Sequence, residues 1–241
     1  MSKGSVVFER EYGVRHIATP GGDTVTAVSQ SDWESFTYAL NGLGQEGAGA
    51  FITSPELITS ADVDLAVISE QQELIEDRIA EAKGLTRQLP ESMLLLGSVA
   101  FDQTVEKPRN AVLFFQDGAE VGRTYKKNPI GKYEREFLHD TAGPDDVVRP
   151  VRNILNIICS DLVSPPPIKN EVDTLLVSAC WGTPAGYPGV VASPDHRHLE
   201  FIQYLTDDLF EQNANLSTIV MTDRAPEGNS MVGPFNFVAT R

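Results

Sequence analysis

Short apolar runs of strand length recur along the chain, and several of the stretches between them carry apolar residues at intervals of three and four. The runs are Ala50–Thr53, Met93–Val99, Asn110–Gln116, Ile154–Cys159, Thr174–Ala179 and Ser217–Met221. Ile154–Cys159 and Thr174–Ala179 are rich in Ile, Leu and Val, as suits strands buried on both faces. Residues 23–29 alternate instead, as a half-buried strand does. Trp33, Phe36, Leu40 and Leu43 form one helical stripe; Leu74, Ile75, Ile79, Ala80 and Leu85 form a second; Leu199, Ile202, Leu205 and Leu209 form a third. The spacings Ser31-x-x-Glu34 and Ser69-x-x-Gln72 predict capping boxes at the starts of the first two helices. Asp117-Gly118 predicts a hairpin turn between strands 110–116 and 119–127. Strands alternating with amphipathic helices define an α/β protein.

Composition adds limits to this pattern. With 241 residues, 41% of them apolar, the chain can bury one large core, and no shift in composition marks a linker. A single domain over 1–241 is therefore expected. The net charge of −15, with a pI near 4.6, argues against nucleic acid or an anionic membrane as partner, since both need clustered cations. No apolar run approaches the length of a membrane span, and the opening residues lack a secretory apolar segment, so a cytoplasmic location is expected. Cys159 and Cys180 are the only cysteines. They cannot form a disulfide framework, and no Cys/His spacing suits zinc, so neither metal nor cofactor is expected. Motifs for phosphate loops, dinucleotides and serine nucleophile elbows are absent from the sequence.

Three polar residues stand where apolar runs stop. Glu56 follows the 50–53 run, Lys127 ends the second strand of the hairpin, and Cys159 closes the 154–158 run. Strand ends in α/β folds open into ligand crevices. Glu, Lys and Cys together supply a proton carrier, a positive charge for an oxyanion, and a nucleophile. Successive strand residues face opposite ways, so only one of the adjacent Lys126 and Lys127 can enter a site.

Read in order, the local words resemble those of the nitrilase superfamily of carbon–nitrogen hydrolases. The words are Gly49-Ala50-Phe51-Ile52-Thr53-Ser54-Pro55-Glu56, then Asn110 through Gly122-Arg123-Thr124-Tyr125-Lys126-Lys127, then Ile158-Cys159-Ser160-Asp161. Val172 through Cys180-Trp181 and Gly228-Asn229-Ser230 follow in the family's order, and the resemblance starts near residue 23, leaving 1–22 as a poorly matched extension. It implies a four-layer α-β-β-α sandwich and a Glu-Lys-Cys triad. Glu56 would be general base and acid, Lys127 would stabilise the oxyanion, and Cys159 would form a thioester that water hydrolyses. The aromatic-x-Lys spacing favours Lys127 over Lys126. Glu134, with Glu136 second, would position substrate or water, the Ser160 amide would help bind the oxyanion, and Tyr125 and Trp181 would line the pocket. Cys180 is read as structural.

The expected substrate is a small non-peptide amide or N-carbamoyl compound, with water as co-substrate. Acyl transfer to an amine and a non-catalytic binding module are the alternatives. One departure stands out: Ser164-Pro165-Pro166-Pro167 follows Cys159 where the family enters a helix, and a run of prolines cannot form a helix interior. Losing that helix would weaken the thiol and remove an expected homo-oligomer interface.

Overall fold

A computed structural model describes residues 7–11, 13–102, 106–129, 134, 136–138, 151–180, 196–224 and 235–241, with 7–11, 196–202 and 235 described for their backbone alone. In chain order the elements are β1 (Val7–Glu11), β2 (Gly13–Ala18), β3 (Thr24–Ser29), α1 (Trp33–Glu46), β4 (Phe51–Thr53), α2 (Gln72–Leu85), β5 (Met93–Ala100), β6 (Arg109–Gln116) and β7 (Ala119–Tyr125). They continue with β8 (Ile154–Ile158), β9 (Thr174–Ala179), α3 (His196–Gln212), β10 (Thr218–Asp223) and β11 (Phe235–Thr240).

The strands form two sheets, a six-stranded one in the order β2-β3-β4-β5-β6-β7 and a five-stranded one in the order β1-β11-β10-β9-β8. Within them β3-β4-β5 and β8-β9-β10 are parallel, and the remaining pairs are antiparallel. Side-chain alternation divides the first sheet between two cores. Leu95, Val112 and Phe114 pack with Ile157, Leu175, Val220 and Phe237 of the second sheet, so the sheets meet face to face. Leu94, Leu96, Leu113 and Phe115, one residue out of step, pack with Phe36, Leu40 and Leu43 of α1 and Ala82 of α2. Leu205 and Leu209, four apart on α3, pack in the cluster built on the second sheet. Helices, sheet, sheet and helix make four layers, as the sequence led us to expect.

Local details differ from the sequence reading. The cap of α1 is Asp32 rather than Ser31: its carboxylate accepts from Ser35 N–H at 2.8 Å. The predicted Ser69 box does not form, because a 3-10 turn over Leu65–Gln71 leads into α2 and Gln71 caps it without a side-chain bond. The opening residues, which lacked a counterpart, supply an edge strand to each sheet, β1 beside β11 and β2 beside β3. The Asp117-Gly118 turn forms with φ of 46° and 71°, the left-handed pair such a hairpin needs. No helix among the described residues is long and apolar enough to cross a membrane.

Candidate active site

β4 pairs with β5 and then turns out of the sheet through Ser54, Pro55 and Glu56. Gly97 on β5 admits that turn, since a Cβ there would overlap the Pro55 carbonyl and sit 2.9 Å from Glu56 Cα. Ser54 Oγ accepts from Gly97 N–H at 2.8 Å, and Glu56 N–H donates to Ala179 O at 3.1 Å. The second of these bonds crosses to the other sheet, so Glu56 is fixed between the two.

The lysine that meets Glu56 is Lys126. Its Nζ lies 2.6 Å from Glu56 Oε1 and 2.9 Å from Glu134 Oε1, with side-chain exposures of 5%, 3% and 12% for Lys126, Glu56 and Glu134. Asn110 completes the group: its Nδ2 donates to Glu56 Oε1 at 2.6 Å and to Glu134 Oε1 at 2.9 Å. The expectation of Lys127 is thereby corrected, because the Lys127 side chain is exposed and only its backbone N–H points inward.

The reason is a β-bulge. Gln116 pairs with Ala119 and Phe115 with Glu120, but Phe114 pairs with Gly122, so Val121 is extra. Beyond it Ala111 faces Tyr125, and the next pair, joined by Lys126 N–H to Asn110 O at 2.9 Å, puts Lys126 directly opposite Asn110. A regular hairpin would have given Lys127 that facing. The same shift turns Tyr125 away from the expected pocket: its ring packs in the helix-side core, with the Arg109 guanidinium 3.7 Å from the ring centre.

Cys159 follows β8, buried, with φ 45°, a left-handed conformation rare for a side chain with Cβ. A 3-10 turn over Cys159–Leu162 follows instead of a helix. Burial pushes its thiol well above the usual range; Glu56 pushes further, while Lys126 and a hydrogen bond from Cys180 N–H pull back. Burial pulls Lys126 down, yet Glu56, Cys159 and Glu134 together outweigh it and hold the ammonium well above its usual value. The three groups therefore share one electrostatic site.

Ser160 and Asp161 clamp the lysine loop to this turn. Ser160 Oγ donates to Asn128 O, and the Asp161 carboxylate accepts from Lys127 N–H at 3.1 Å and from Asn128 N–H at 2.7 Å. Burial pushes Asp161 up to about 6 even though these N–H groups favour its charged form. Glu136 is exposed and outside the cluster, and Trp181 lies outside the described residues.

Sequence reasoning therefore missed Asn110, Asp161 and Cys180. Asn110 had a signal, an amide on the face of β6 that Val112 and Phe114 share with the second sheet. Asp161 stands in the Ile158-Cys159-Ser160-Asp161 word, but that its carboxylate binds the lysine loop depends on the fold, and Cys180 acts through its backbone N–H, which no residue pattern reveals.

No family model matches the chain, and no curated protein matches it either. Solved structures do. A carbon–nitrogen hydrolase from Helicobacter pylori G27 is similar with a TM-score of 0.61 and 12% identity, over 95% of this chain and 80% of that one. An amidase of the nitrilase superfamily from Nesterenkonia sp. AN1, in a mutant with the acetamide moiety of fluoroacetamide covalently added at its active site cysteine, gives 0.62 and 13%, over 97% and 89%. A glutamine-dependent NAD+ synthetase from Acinetobacter baumannii gives 0.57 and 18%, over 91% of this chain but 38% of that one. The chain has the fold of the nitrilase-superfamily carbon–nitrogen hydrolases.

Proposed function

We propose that the protein is a cysteine-dependent hydrolase of small non-peptide amides or N-carbamoyl compounds, a member of the nitrilase superfamily working through Glu56, Lys126 and Cys159. The observation that carries this reading is the buried Glu56–Lys126 ion pair coupled to a thiol held in left-handed backbone at a strand end. Burying an ion pair costs desolvation, and one buried beside a cysteine is an arrangement that chemistry explains.

The raised thiol means that Cys159 rests as S–H. Both donors to Glu56 converge on Oε1, which leaves Oε2 to take the thiol proton as the sulfur attacks the carbonyl carbon. The oxyanion forms beside Lys126 Nζ and the Ser160 amide. Glu56 then gives its proton to the leaving nitrogen, the C–N bond breaks, and a thioester remains. Water attacks it while Glu56 takes the water's proton and returns one to the departing sulfur. Glu134 and Asn110 keep Lys126 and Glu56 oriented throughout.

A second reading, a binding module that retains these residues without turnover, has one observation in its favour: the 3-10 turn after Cys159 withholds the helix N-terminus that would lower the thiol. One experiment separates them. A panel of small amides is assayed for ammonia release, with Cys159→Ala as control, and iodoacetamide adducts are mapped by mass spectrometry. Hydrolysis lost in Cys159→Ala, with alkylation preferring Cys159 to Cys180, supports the hydrolase; activity that survives the substitution removes the triad assignment.

A further inference from the structure

Three parallel strands end side by side in Cys159, Cys180 and Arg224. The register Ile158↔Ser178 and Ala179↔Asp223 aligns the ends of β8, β9 and β10, so Arg224 stands two strand spacings, roughly 10 Å, from Cys159 along the sheet edge. Its backbone is tied to the same point as that of Glu56: both N–H groups donate to Ala179 O at 3.1 Å. Its side chain turns back toward Cys180, with Nη1 3.4 Å from Leu57 O and Nη2 3.7 Å from Cys180 Sγ.

This guanidinium is poorly satisfied. The two contacts are long, and its Nε is buried with no hydrogen-bond partner among the described residues. Asp62 lies within electrostatic reach, but its oxygens are engaged by Arg78 at 2.5 and 2.9 Å. Arg78 thus has its carboxylate, and Arg123 has Glu120 at 2.6 Å, whereas Arg224 has none among the described residues. A partly buried cation with an unpartnered Nε–H, held by long contacts to the Leu57 carbonyl and the Cys180 thiol at the sheet edge that carries Cys159, fits an external planar anion.

We infer that Arg224 anchors a carboxylate of the substrate, so that the site takes a short amide bearing a free carboxylate a few bonds from the scissile C–N bond. This rests on the hydrolase reading of the same site, and it names a substrate class within it. A guanidinium fork on a carboxylate favours the acid over its neutral analogue by roughly 10- to 100-fold.

The test uses the full chain carrying Cys159→Ala, titrated calorimetrically with succinamate and with butyramide, which differ by the carboxylate. Succinamate should bind at least 10-fold more tightly, Arg224→Met in the same background should abolish that preference, and Arg224→Lys should restore part of it. Equal binding of the two amides, binding of neither, or a preference that survives Arg224→Met overturns the inference. The first comparison needs no change at Arg224, so misfolding of a variant leaves it decisive. Ammonia release by the unsubstituted protein is read separately. Turnover without a carboxylate preference removes the anchor and spares the hydrolase; Arg224-dependent binding without turnover does the reverse.

Discussion

Two adjacent lysines, each replaced by methionine, should behave as different kinds of residue. Lys126 Nζ contacts Glu56 at 2.6 Å and Glu134 at 2.9 Å, and none of the three side chains is more than 12% exposed. Lys126→Met removes the cation between Glu56 and Glu134, which still share Asn110 Nδ2. Breaking a buried pair by removing one partner costs about 3–5 kcal/mol, because the remaining charge is uncompensated. For a chain of this size that corresponds to a fall in Tm of roughly 6–20 °C. The Lys127 side chain is exposed, and the bond its residue makes to Asp161 uses the backbone, so Lys127→Met should stay within about 0.5 kcal/mol.

The pH signature is as informative as the size. Lys126 has its pKa raised on folding, so its contribution is fully present below the unfolded value of 10.5 and is lost only as pH rises toward the folded one. The wild type therefore keeps this contribution through neutrality. The Lys126→Met deficit should thus be present at both pH 5 and pH 8, well below the range in which the lysine titrates. Urea unfolding of the three proteins at pH 5 and pH 8 makes the comparison. A Lys127→Met penalty equal to that of Lys126→Met, or a Lys126→Met penalty below about 1 kcal/mol at both pH values, would refute the reasoning.

Two further perturbations probe the supports of the site. Gly97→Ala adds one methyl that meets backbone, 2.8 Å from Pro55 C and 2.9 Å from Glu56 Cα, so the Glu56 turn must shift by roughly 1 Å. Amide hydrolysis should fall by about 100-fold with a stability loss of about 1–3 kcal/mol; unchanged kinetics would show that Glu56 needs no such positioning. Asp161 has a folded pKa of about 6 against 3.8, so its contribution is present below 3.8 and lost as pH rises through 6, a change of about 3 kcal/mol. The stability difference between wild type and Asp161→Asn should drift by about that much from pH 4 to pH 7, against the wild type, and a flat difference would contradict the assignment.

Much of the architecture was legible because it rests on local and periodic signals. Apolar runs such as Met93–Val99 became strands, and the helical stripes at Trp33 and Ile75 became helices packed on one sheet. Caps were less legible. Ser31 and Asp32 are both capping residues, and only the chain's entry angle selects the second. The opening strand β1 was illegible because it is stabilised by partners more than two hundred positions away, whereas β2 pairs locally with β3.

For the site, residue types alone put the chemistry on offer, with Glu56, a lysine of the 126–127 pair and Cys159 at the ends of apolar runs, and the family resemblance added Glu134. Tertiary structure alone decided which atoms meet. The bulge at Val121 inverted the facing of the hairpin and admitted Lys126 in place of Lys127 and of Tyr125. Packing of two sheets brought Glu56 and Arg224 onto one carbonyl, Ala179, although they lie in opposite halves of the chain. Residue type is a property of the sequence, whereas facing and long-range proximity depend on register and on sheet packing, which one inserted residue can reverse.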